Sequence, residues 1–394
     1  MTPRRKTSRL RIGAVLLFVV AALLFGDLVR LSLHDAALQH RIPRPLRGAL
    51  VQVTGFESYE RRIETSISWK FDTRVDWGPV AFGNFLQADE LGAIIRNKDR
   101  TLTATMLDGT ILKDLRTGTP MGMSLVTATP MSYQQWFPVT LQRPGRDLLL
   151  VLDNATGTLL AIDAKTERSV WEMPLPETAG TTVGQILTLD EEGETRGLLV
   201  VSPQSRHLFF LSAEGELLAK TNLEPESLVF QGLIDEAAVV FAAEPSGHIR
   251  VFDTKGNEQR RFRLRYPEGL SPLSLISVED EDGSPVLRAD FVSRRPIFFT
   301  FDGSVLASPG REPSLTSYGT AFGMRTTRLP DGNFLVGMYA IALLDRHGRV
   351  LDQLSADDYS FLVTGVRSAD GRYLAWTSDQ MNYVPSLSWV EVKE

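Results

Sequence analysis

The chain has 394 residues, 42 Lys+Arg against 48 Asp+Glu, 43% hydrophobic residues, 31 Gly, 21 Pro and no Cys. That composition excludes a largely disordered, collagen-like or disulfide-stapled protein. The net charge of −6 divides unevenly: residues 1–47 carry nine basic and two acidic groups, which leaves −13 for the rest, a poor match for clustered phosphate contacts. No nucleic-acid partner is expected.

Residues 1–11 form a basic flank before residues 12–26, which carry no charge, and the apolar stretch continues to Leu33. A span needs about 20 residues, so 12–33 reads as a transmembrane signal anchor with the basic flank cytoplasmic and the body exported. A cleaved signal peptide is the competing reading, since the apolar core is short. The absence of Cys excludes a lipid-modified N-terminal Cys. Residues 34–48 contain Pro43 and Pro45 and read as a stalk, and the folded body is expected over 49–394.

From residue 80 onward one unit recurs: a strand, a tight turn, a strongly apolar strand, a loop, and a further strand ending at a second turn. First turns fall at Ala88-Asp89, Pro144-Gly145, Glu192-Gly193, Asp235-Glu236, Asp282-Gly283, Asp331-Gly332 and Asp370-Gly371. Second turns fall at Asp108-Gly109, Thr166-Glu167, Glu214-Gly215, Lys255-Gly256, Asp302-Gly303 and His347-Gly348. Such pairs favour the positive φ of two-residue hairpins. Four strands per unit at this period predict an all-β, seven-bladed β-propeller, whose inner strands are buried on both faces and therefore continuously apolar. The last unit lacks one strand, and Ser66-Ile67-Ser68-Trp69 resembles Ser169-Val170-Trp171 in the second unit. Residues 65–71 are therefore expected to complete the seventh blade and close the ring, leaving no inner edge unpaired. A pair of β-sandwiches is the rival architecture.

Residues 159–171, LLAIDAKTERSVW, resemble the repeat of the quinoprotein-like superfamily, seen in pyrroloquinoline-quinone enzymes and in the outer-membrane-assembly lipoprotein propeller, with Glu167 where the motif usually has Gly. Residues 246–253, SGHIRVFD, are similar to a WD-type repeat with Phe in place of Trp. Residues 328–336 with 343–350 look like blades of arylsulfotransferase-like proteins. Each match spans one blade, so the resemblance implies the propeller class rather than one family. Quinone enzymes carry adjacent cysteines, a calcium-binding carboxylate set and usually eight blades, whereas this chain has no Cys and seven units, so no cofactor is expected.

An arylsulfotransferase-like enzyme, with its pocket at the channel mouth, would need a nucleophilic His. The candidates are His207 and His248, each eight residues before the glycine of its unit's second turn and so at equivalent positions on neighbouring blades. Packed sheets stand about 10 Å apart, too far for both rings to ligate one ion at about 2 Å, and no metal is expected. The acidic runs 190–194 and 279–283 sit in first turns and lack helix-loop-helix calcium spacing. The two longest connections, 116–137 and 308–324, share a face with the loop 378–386 and with Trp77. They carry Met131, Tyr133, Trp136, Phe137, Tyr318, Phe322, Met381 and Tyr383, and exposed aromatic and Met side chains favour partner contact. The sequence thus points to a non-catalytic propeller, single-pass in the cytoplasmic membrane with its C-terminal domain periplasmic or extracellular, serving as a scaffold for an envelope protein or polymer. The sulfotransferase-like enzyme is the alternative.

Overall fold

The structure is a computed structural model. It describes residues 26, 29–30, 32–34, 36–38, 41–54, 58–70, 81–86, 90–96, 102–115, 139–153, 156–179, 185–191, 194–202, 206–225, 227–234, 237–264, 272, 274–291, 296–306, 325–337, 340–355, 359–367, 371–379 and 385–393.

The described strands assemble into seven antiparallel sheets arranged as a seven-bladed β-propeller. Blade 1 is β2 (Ala81–Gly83), β3 (Gly92–Arg96), β4 (Leu102–Met106) and β5 (Ile111–Leu115). Blade 2 is β6 (Val139–Leu141), β7 (Leu148–Asp153), β8 (Thr158–Asp163) and β9 (Arg168–Pro174). Blade 3 is β10 (Gln185–Glu191), β11 (Glu194–Ser202), β12 (His207–Ser212) and β13 (Leu217–Asn222). Blade 4 is β14 (Leu228–Ile234), β15 (Ala237–Ala243), β16 (His248–Asp253) and β17 (Glu258–Arg263). Blade 5 has β18 (Ser274–Glu279), β19 (Pro285–Asp290) and β20 (Ile297–Phe299). Blade 6 is β21 (Arg325–Arg328), β22 (Phe334–Gly337), β23 (Ala340–Leu344) and β24 (Val350–Ser355). Blade 7 joins β25 (Tyr359–Arg367), β26 (Tyr373–Asp379) and β27 (Pro385–Val392) to β1 (Ile63–Lys70).

Among the described residues the core forms seven clusters, one between each pair of successive blades, including blade 7 against blade 1. This explains the sequence pattern: Leu148-Leu-Leu-Val-Leu152 has every side chain buried because one face meets each neighbouring blade, whereas outer strand β9 alternates exposed and half-buried positions. Buried arginines also cross these seams. Arg288, with no exposed surface, makes a bidentate pair with buried Asp290 (Nε–Oδ2 3.0 Å, Nη2–Oδ1 2.8 Å) and donates to the Gly348 carbonyl of blade 6.

Closure occurs as the sequence implied, over residues 63–70. β1 pairs antiparallel with β27, from Ile63 opposite Val392 to Lys70 opposite Ser386. Its entry is latched to blade 6, where the buried Asp352 carboxylate accepts from the Arg62 and Ile63 amides at 2.7 and 2.9 Å. The likeness of β1 to β9 has a packing cause. Trp69 and Trp171 each lie against the turn glycine of the next blade, so that a Cβ on Gly109 or Gly215 would stand 2.4 or 2.5 Å from the indole. Trp171 also donates from Nε1 to the Ala213 carbonyl at 3.1 Å.

The turn geometry differs from the sequence expectation. The second turns are not two-residue hairpins. In Ser212–Glu216 the Gly215 amide returns to the Ser212 carbonyl (3.1 Å) and Ser212 donates to the Glu216 carbonyl (2.9 Å), with Gly215 at φ 85° and a register shift beside it. This is the three-residue loop with a left-handed glycine and a bulge, and Met106–Thr110, Asp253–Asn257 and Asp345–Arg349 repeat its hydrogen bonds. At the same place in blade 2, Glu167 takes φ 57° without being Gly and reaches blade 1 through a 2.7 Å ion pair with Lys113.

Among the described residues blade 5 has three strands, and the chain turns back along β20 through the Phe299–Val305 bridge and the Leu306 amide on the Phe298 carbonyl at 2.9 Å; residues 307–324, which follow, lie outside the described residues. The N-terminal segment joins the seam between blades 5 and 6: Ala37, Leu38 and Tyr59, with half-buried Ile42, Leu50 and Val51, share one apolar cluster with Phe298, Leu306, Phe334 and Val350.

In this part of the chain His34, Ala37 and Leu38 are buried and helix α1 spans Arg44–Thr54. Pro43 and Pro45 start this helix instead of blocking it, since the first helical amides need no intrahelical acceptor; Leu46 and Arg47 donate to the Pro43 carbonyl. Residues 12–25 of the expected membrane span lie outside the described residues, and among the described residues no helix is long and apolar enough to cross a membrane.

Candidate functional site

Because each blade is a meander, its first and third hairpins lie at one edge of the ring, while its middle hairpin and the connection to the next blade lie at the other. The ends of segments 71–80, 116–138, 307–324 and 380–384 all belong to this second, connection edge. The expected partner residues Trp77, Met131, Tyr133, Trp136, Phe137, Tyr318, Phe322, Met381 and Tyr383 are within those segments and outside the described residues.

His207 and His248 open β12 and β16, so both lie at the connection edge at equivalent blade positions. Their surroundings differ. The His207 ring stands 5.7 Å from that of Phe209. Nearby Glu177, in the short 3-10 turn Pro176–Thr178, is ion-paired with Lys220, and that hydrogen bond holds its carboxyl below the ordinary value.

His248 belongs to a denser group. Its Nδ1 lies 2.9 Å from Ser246 Oγ, while the Ser246 amide donates to Glu224 Oε2 at 3.0 Å. The carboxylates of Glu224 and Glu244 and the His248 imidazole offer ligand atoms within 4.8 Å of one another. Glu224 comes from the connection between β13 and β14, and Glu244 from the hairpin before β16. That hairpin is held by Glu244 N–H on the His248 carbonyl and Gly247 N–H on the Glu244 carbonyl, both 2.8 Å, with Gly247 at φ 87°. Behind it Arg250 binds Glu258 (Nε–Oε2 3.0 Å, Nη2–Oε2 2.7 Å) and Thr221 Oγ1 (2.9 Å), and reaches Glu244 only at 3.5 Å. Glu224 and Glu244 escape sequence reasoning because twenty residues separate them; the one signal was His248 at the head of its strand.

At the opposite edge an open groove of about 1110 Å³ lies between blades 1 and 2, lined by Leu86, Leu112, Lys113, Arg143, Arg146, Leu148, Asp163 and Lys165 among others. Two of its cations are neutralised: Lys113 pairs with Glu167 and Arg146 with Asp163.

No family model matches the chain, and no curated protein does. Among solved structures it is similar to BBS1N in complex with ARL6DN, with a TM-score of 0.52 and 13% identity over 84% of this chain and 97% of that one. BamB from Moraxella catarrhalis gives a TM-score of 0.45 at 14% identity over 83% and 88%. At 13% identity the BBS1N match shows a common fold.

Proposed function

We propose that this chain is a membrane-anchored, exported, non-catalytic β-propeller that scaffolds a protein or polymer partner at its connection edge. Residues 12–33 would hold it in the cytoplasmic membrane with the ring periplasmic or extracellular. The observation that carries the reading is that the strand ends flanking 71–80, 116–138, 307–324 and 380–384 share one edge of a rigid ring. In sequence, those segments are rich in Met and aromatic residues, the composition enriched at interface cores. BBS1N, of similar fold, is held in a complex with another protein, and a protein partner is the corresponding reading here.

The experiment is capture from native membranes by the full chain and by a Tyr133→Ala/Trp136→Ala variant. Partner recovery should fall at least tenfold, since buried aromatic anchors each contribute about 2 kcal/mol or more, while the melting temperature stays the same. Equal recovery would refute the assignment of the binding edge. Membrane anchoring is tested separately: the chain should stay in the membrane fraction after alkaline carbonate, and release with a shortened N-terminus would support the cleaved signal instead.

A further inference from the structure

We propose that Glu224, Glu244 and His248 form a binding site for one divalent transition-metal cation, of which Zn²⁺ is the best-matched representative. The cation would tie the connection between blades 3 and 4 to the middle hairpin of blade 4. Three observations lead there, and none depends on the scaffold reading.

The first is geometric. One imidazole and two carboxylates, drawn from two separate segments, converge within 4.8 Å, close enough for small side-chain rotations to place each about 2.0–2.2 Å from a common ion. The second is charge. Three carboxylates, Glu224, Glu244 and Glu258, share two guanidiniums: Arg261 pairs with Glu258 at 2.8 Å, and Arg250 pairs closely with Glu258 and more distantly with Glu244. Glu244 is only 7% exposed and has Arg250 no nearer than 3.5 Å. A buried carboxylate beside a second carboxylate is costly without a closer cation.

The third is orientation. Ser246 touches two of the three ligands, through its amide to Glu224 and its hydroxyl to His248 Nδ1. Groups of this kind fix ligand side chains in metal centres. Mixed imidazole and carboxylate donors suit Zn²⁺ or Mn²⁺ better than Ca²⁺, which takes six to eight oxygens, and the affinity order places Zn²⁺ above Mn²⁺. With three protein ligands, a fourth position stays open at the connection edge for water or another donor.

The test is calorimetric titration of the full chain, stripped with EDTA, with Zn²⁺, Mn²⁺ and Ca²⁺. The wild type should bind one Zn²⁺ more tightly than Mn²⁺ and Ca²⁺, and Zn²⁺ should raise its melting temperature. Glu224→Gln and His248→Ala should each weaken that site by more than about 100-fold and abolish the thermal shift, and Ser246→Ala by roughly 10- to 100-fold. Glu224→Gln keeps the shape of a half-buried side chain, so it decides the matter should His248→Ala fail to fold. The proposal is overturned if the wild type binds no Zn²⁺, if both ligand variants bind it as the wild type does, or if Ca²⁺ binds as tightly as Zn²⁺. In those cases the trio is a hydrogen-bonded cluster held through Ser246.

Discussion

Two isoleucines on one strand test how the ring closes. Ile63 and Ile67 both lie on β1, yet Ile63 has no exposed surface and packs with Leu335, Leu343, Tyr373 and Val390 between blades 6 and 7, whereas Ile67 is 53% exposed on the outer rim. Truncating Ile63 to Ala removes three carbons from a filled seam and should cost about 2–5 kcal/mol. Ile67→Ala removes the same atoms from a surface already in water and should stay within about 1 kcal/mol. With an unfolding entropy of about 2.1 cal/mol/K per residue, a ring of this size should lose roughly 3–7 °C for the first variant and about 1 °C for the second. Differential scanning calorimetry reads the midpoints, and hydrogen exchange along β27 reports whether the last blade opens before global unfolding. Equal midpoints for the two variants would refute burial of β1 as the closing element, and a larger loss for Ile67→Ala would reverse which face of the strand is inside.

Asp290→Ala should destabilise by about 3–5 kcal/mol, because it leaves the Arg288 guanidinium buried and without its carboxylate; urea denaturation measures it, and a change below about 1 kcal/mol would contradict the buried pair. Gly215→Ala should cost more than about 1 kcal/mol, since the position needs φ 85° and a Cβ would meet Trp171 at 2.5 Å; Gly332→Ala has the same φ with nothing within 4 Å and should cost less. His34 is buried 2.5 Å from the Tyr59 hydroxyl, and burial lowers its pKa from 6.5 to about 4. The unfolded segment therefore takes up a proton near pH 6.5 and the docked one only near pH 4, so docking is complete above about 6.5 and weakens as pH falls between those values. Protection factors of residues 44–54, taken relative to intrinsic exchange at each pH, should fall as pH drops through that window in the wild type and not in His34→Leu; identical profiles would reject His34 as the cause.

The architecture was legible because a propeller writes itself into sequence locally. Blades bury the second strand on both faces, giving runs such as 148–152, and nearly every turn pair places an Asp or Gly where the chain must reverse, Thr166-Glu167 being an exception. Even the non-local closure could be read, since β1 and β9 meet the same neighbour, the turn glycine of the next blade, and so carry the same Trp. What remained hidden depends on contacts between segments with no shared period. Tertiary packing brought Ala37, Leu38, Ile42, Leu50 and Val51 against blades 5 and 6, because an apolar helix face can join a blade seam whatever its distance along the chain. It also gathered Glu224, Glu244 and His248, which no spacing rule links, since a connection and a hairpin of adjoining blades become neighbours only once the ring has formed. The sequence by itself determined blade number, strand character and closure, all set by local burial, and the tertiary structure alone decided how the N-terminus docks and where charged groups converge.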